Sequence, residues 1–92
     1  TTVAPQALHL MNNPHVRAAA YGLAKRASND GKATDAESVM NAYRLALCRE
    51  PTTDELADAL AFLKGVPAAE RELKLADLCQ VLFCLNEFLY AE

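Results

Sequence analysis

Between Leu75 and Leu89 the chain carries Leu78, Cys79, Val81, Leu82, Phe83, Cys84, Leu85 and Phe88, so a helix through this stretch is apolar on nearly every side. Such a helix lies at the centre of a bundle or meets a partner. The rest of the chain then has to supply amphipathic elements that cover it. With 92 residues there is room for one core, expected to bury roughly 60–65% of the unfolded surface. Ala and Leu contribute 18 and 14 residues against 3 Gly and no Trp, which favours helix formers over strand formers. No segment alternates with the period of a strand. The expectation is an all-α fold in which residues 1–92 form a single helical domain, a compact bundle of about five helices with the last one central.

Local signals place the five. The first is short, about Ala4 to Asn12, with Ala7, Leu8 and Met11 on one side. Asn13 can cap a second helix with Pro14 at its first position, where a missing N–H costs nothing. Val16, Ala19, Ala20, Leu23, Ala24 and Ala27 form its stripe, small enough to let a neighbouring helix approach closely. Ser28-Asn29-Asp30-Gly31 reads as a turn.

Thr34 with Glu37 is a capping-box pattern opening a third helix, with Ala36, Val39, Met40, Tyr43, Ala46 and Leu47 on one face. That helix must end before Pro51. Thr52 with Glu55 repeats the box before a fourth helix whose core face is Leu56, Ala59, Leu60 and Leu63, with Phe62 beside it. Gly65 before Val66-Pro67 is a stop. The fifth helix runs from about Ala69 to Tyr90, with Glu70 and Glu72 placed favourably in its first turns. On it Leu82 is expected to be fully packed, with Leu78 and Leu85 as its neighbours on the same stripe.

Short loops make successive helices antiparallel neighbours. The ends of the third and fifth helices and the start of the second then share one pole, which collects Asn13, His15, Arg49, Asn86, Glu87 and Tyr90. Glu87 lies among Leu85, Phe88 and Leu89, where a carboxylate pays a desolvation cost unless a cation compensates it. Glu87 is therefore expected to pair with Arg49 or, failing that, Arg44, with Asn86 beside them in a structural polar cluster.

Several chemistries have no footing in the residues. Cys48, Cys79 and Cys84 are odd in number and lack a CxxC spacing, so they read as buried free thiols and not as a zinc ribbon or disulfide framework. Cys79 and Cys84 point about 140° apart around one helix and cannot bridge each other. There is no CxxCH, HExxH, GxGxxG, GxSxG or Walker loop. His9 and His15 are separated by a proline break and read as surface or partly packed side chains. Asp54, Glu55 and Asp58 read as helix-dipole partners and solvated charge. Lys plus Arg number 9 against 12 acidic residues, a net charge of -3 without the basic footprint of a nucleic-acid binder. No apolar run is long enough to span a membrane. No catalytic, cofactor-binding or metal-ligating residue is assigned, and the chain is not expected to be an enzyme.

Three segments in order carry a family resemblance: Thr1-Thr2-Val3-Ala4-Pro5-Gln6-Ala7-Leu8 with Leu10-Met11-Asn12-Asn13-Pro14, then Ala42-Tyr43-Arg44-Leu45-Ala46-Leu47-Cys48-Arg49-Glu50-Pro51-Thr52, then Leu85-Asn86-Glu87-Phe88-Leu89-Tyr90. The chain resembles the C-terminal part of planctomycete-specific domain one, also called domain of unknown function 1553. The resemblance implies a piece of a large exported or periplasmic protein that often also carries a second planctomycete-specific domain and cytochrome-c-like modules. It brings no established catalytic residues. Its pattern usually has Gly where Cys48 stands, a position suited to a left-handed helix end, so Cys48 implies either a different end geometry or some strain.

The expected function is a non-catalytic helical module that closes the parent protein and packs against its other domains. The alternative is an auxiliary domain of a cytochrome-associated redox or hydrolytic enzyme whose catalytic groups lie elsewhere. Two weaker readings are an axial haem ligand from His9, Met11 or His15 and a helix-turn-helix DNA reader, the latter opposed by the acidic balance. Expected partners are the parent's other domains, without nucleic acid and without membrane insertion, and no cofactor is expected.

Overall fold

The computed structural model describes the backbone of residues 13–90 and the side chains of residues 13–85. Four helices form, α1 (Pro14–Ala27), α2 (Asp35–Leu47), α3 (Thr53–Leu63) and α4 (Ala68–Tyr90), and there is no strand among the described residues. The all-α class holds with four helices where about five were expected, because the segment Ala4–Asn12 lies outside the described residues.

Each helix start follows from its own side chains. Asn13 accepts a hydrogen bond from the His15 N–H at 2.8 Å, with Pro14 at the first helical position. Both capping boxes close: the Thr34 hydroxyl accepts from the Glu37 N–H and the Glu37 carboxylate from the Thr34 N–H, and Thr52 and Glu55 repeat the exchange. The α1–α2 turn passes through three left-handed residues, Asn29, Asp30 and Gly31, which Gly tolerates freely and Asn and Asp tolerate best among the others. Gly65, with φ at +77°, ends α3 as a left-handed residue just beyond its cap.

Cys48 resolves the open question at the end of α2. It adopts the left-handed geometry itself, at φ 57° and ψ 29°, while its N–H still bonds the Arg44 carbonyl. Its thiol is exposed, which corrects the expectation of three buried thiols; only Cys79 and Cys84 are buried. The reason is positional: a residue that turns the chain out of a helix points away from the core that the helix covers.

The helices pack with α4 touching α1, α2 and α3, while α1 and α3 do not meet. The core gathers Ala20, Ala24 and Ala27 of α1, Val39, Ala42 and Tyr43 of α2, Ala59 and Leu63 of α3, and Leu75, Ala76, Cys79 and Leu82 of α4. Alanine at successive turns of α1 lets α4 approach closely, and the α1–α4 contact is the most extensive in the bundle. Leu63, Leu82, Val39 and Cys79 are the largest fully buried side chains. Each such aliphatic side chain stabilises the fold by about 1.5–3 kcal/mol relative to its exposed state.

The apolar stripe of α4 is not packed along its whole length. Leu82 is 1% exposed, yet Leu85, three residues on, is 44% exposed and Val81 41%. Leu82 is packed as expected, while its stripe neighbour Leu85 is not, because the other helices leave one face of α4 uncovered. Among the described residues no helix is long and apolar enough to cross a membrane.

Candidate functional site

The densest polar cluster is the corner between α2 and α3. Leu47 ends α2, and the extended cap residue Thr52 starts α3, so Arg44, Arg49, Glu50 and Glu55 crowd around one short connection. Arg49 grips Glu55 through two hydrogen bonds, Nη1 to Oε1 at 2.7 Å and Nη2 to Oε2 at 2.9 Å, and Nη1 also reaches the Glu50 carbonyl at 3.0 Å. Its guanidinium lies 5.5 Å from the centre of the Tyr43 ring. Arg44 pairs with Glu50.

Glu55 has two roles at once, since the oxygen that binds Arg49 also accepts the Thr52 N–H at 2.8 Å. The Arg49 hydrogen bond first and the Thr52 N–H second hold its carboxyl at about 2, below the usual 4.5. Burial pushes the Tyr43 hydroxyl up, and the Glu55 charge adds to it. Both ion pairs are largely exposed, so each stabilises by about 0–1 kcal/mol and acts mainly by fixing the corner's shape.

The two arginines singled out in the sequence thus meet at one pole, each with an acidic partner six residues on. The side chains of Asn86, Glu87 and Tyr90, and with them the expected pairing of Glu87, lie outside the described residues. His15 is exposed and contributes its backbone to the α1 cap. The corner holds paired charges and a buried tyrosine. It contains no nucleophile beside a base, and among the described residues no group of three His, Cys, Asp or Glu is placed to hold a metal ion.

Two long-range pairs escaped the sequence reading. Arg71 and Asp35 join the first turns of α4 and α2 through a bidentate pair, Nε to Oδ1 at 2.8 Å and Nη2 to Oδ2 at 2.5 Å. The signal was present: if the ends of these two helices share a pole, their starts share the other. Arg17 of α1 reaches α4, with Nη1 at 2.7 Å from both Asp77 Oδ1 and Gln80 Oε1. The same guanidinium stacks 4.7 Å from the ring centre of Tyr21, one turn on. Arg17 is separated from Asp77 by most of the chain, and no local pattern links them.

Residues 1–63 match the family PSD1, described as Protein of unknown function (DUF1553). The chain belongs to this family. No curated protein and no solved structure matches it. In this DUF1553 member the Arg44–Glu55 corner falls inside the matched stretch, and the α4 half of the Arg17–Asp77 seam falls beyond it.

Proposed function

We propose that the chain is a non-catalytic helical module that helps close a larger exported protein by packing against that protein's other domains. The observation that supports this most is the uncovered face of α4. Asp77, Val81 and Leu85 recur every fourth residue and so share one stripe, on which Val81 and Leu85 are over two-fifths exposed. Tyr21, held by Arg17 beside Asp77, is 40% exposed at the same seam. Tyr and Arg are among the residue types that contribute most at protein interfaces, and here they stand beside two exposed aliphatic side chains.

The test is binding of the chain to the remaining domains of its parent, expressed separately. A Val81→Glu/Leu85→Glu variant is expected to lose at least about tenfold in affinity, the equivalent of about 1.4 kcal/mol, while its melting temperature stays close to that of the unaltered chain. Equal binding by a folded double variant would overturn the assignment of this face.

A further inference from the structure

At the pole opposite the Arg44–Glu55 corner, the end of α1, the starts of α2 and α4 and the end of α3 surround a recess of about 360 Å³. This is within the size range of small-ligand sites, at its lower end. Its floor is formed by the buried side chains of Leu63 and Leu75 together with Ser38. Ser38 is 4% exposed, sits on the inner side of α2 and lines the recess, where its hydroxyl is not left buried without a partner. The hydroxyl is not sealed from solvent, so a ligand polar group that enters the recess can reach it and take the place of water. Ser28, also at the recess, differs: its hydroxyl already donates to the Lys25 carbonyl and accepts from the Gly31 N–H.

The rim decides the charge of the ligand. Asp35 and Arg71 neutralise each other. Lys25 of α1 and, on the acidic side, Asp30 and Glu72 have no ion pair among the described residues. A simple anion entering the recess meets Asp30 and Glu72 unfavourably. A simple cation meets Lys25 unfavourably. A molecule with both charges satisfies both sides and leaves an apolar remainder for the leucine floor. The start of α4 adds to the positive side, because neither Val66 nor Pro67 carries a side chain that can cap the first N–H groups.

We propose that this recess binds a small aliphatic α-amino acid as its zwitterion. The carboxylate is placed toward Lys25 and the Ser38 hydroxyl, the ammonium toward Glu72 and Asp30, and the side chain on Leu63 and Leu75.

The probes are L-leucine, isovalerate and isoamylamine, which share a branched aliphatic tail and differ in carrying both charges, the negative one or the positive one. Backbone amide shifts of the 92-residue chain are followed as each probe is added. L-Leucine is expected to shift resonances of Ser28–Ser38 and Ala68–Leu75 and to bind at least about tenfold more tightly than either singly charged probe. The Ser38→Ala and Lys25→Ala variants should each weaken it severalfold, and Lys32→Ala should not. Shifts scattered over the surface, no saturation at millimolar leucine, or equal binding of isovalerate or isoamylamine would overturn the proposal. Unchanged leucine affinity in a folded Ser38→Ala variant would remove the role assigned to the hydroxyl and, with it, the placement.

Discussion

Replacing Leu82 and Leu85 separately by alanine tests whether α4 really has a buried and an uncovered side. Truncation removes three carbons, worth about 0.8 kcal/mol each when fully buried, or about 2.4 kcal/mol. Leu82 is 1% exposed, so the full term applies and the cavity left behind adds to it, for an expected loss of about 2.5–4 kcal/mol. Leu85 is 44% exposed; only about half the transfer term is at stake there and no closed cavity forms, so about 1 kcal/mol is expected. A chain of 92 residues has a total stability of about 5–14 kcal/mol, so the first change consumes a large share of it. At about 4–8 °C per kcal/mol, Leu82→Ala should lower the melting temperature by about 10–32 °C and Leu85→Ala by about 4–8 °C. Thermal unfolding followed by far-ultraviolet dichroism, with urea denaturation as a second measure, gives both values. Equal losses would refute the reasoning, since two leucines three residues apart would then share one environment.

Glu55 titrates near 2 in the folded chain against about 4.5 unfolded, so its contribution is fully present above pH 4.5 and disappears as the pH falls toward 2. Urea unfolding across that range should show a smaller acid loss for Glu55→Gln than for the unaltered chain; identical pH profiles would contradict the assigned partners. Cys48→Gly should stabilise the protein by about 0.5–1 kcal/mol, because relief of left-handed strain exceeds the added flexibility of glycine in the unfolded chain; a destabilised variant would count against the φ of 57°. An aromatic disulfide reagent should label Cys48 at once and Cys79 only on unfolding, since burial pushes the Cys79 thiol up to about 12. Immediate labelling of all three thiols would contradict the buried positions of Cys79 and Cys84.

Much of the architecture was legible because its determinants are local. A capping box specifies its own hydrogen bonds within four residues, so Thr34 and Thr52 announced α2 and α3 without reference to the rest of the fold. Pro14 and Gly65 did the same for a start and a stop. The side of α4 that stays uncovered was not legible. A segment apolar on nearly every side contains no information on which side its neighbours leave open, so Leu82 and Leu85 look alike until α1, α2 and α3 are placed. The charges at the corner were hard for a related reason. Arg44 and Arg49 each had several acidic candidates, and the choice of Glu50 and Glu55 depends on the tight turn that folds the connection back. Ser38 drew no notice because a serine in a helix carries meaning only once its surroundings are known.

The α1–α4 contact also has a consequence for how the protein comes to be made. The stretch that matches the family ends at residue 63, the last of α3, whereas the helix that covers Ala20, Ala24 and Ala27 begins at Ala68. The portion with recognisable ancestry is therefore shorter than the portion that has to be present for α1 to be sheltered. On the ribosome α1 is finished about 2–8 s before the first turn of α4 is added, at the usual rate of about 5–20 residues per second. For that interval its alanine face has lost its main cover, and anything that binds nascent chains has its opportunity there.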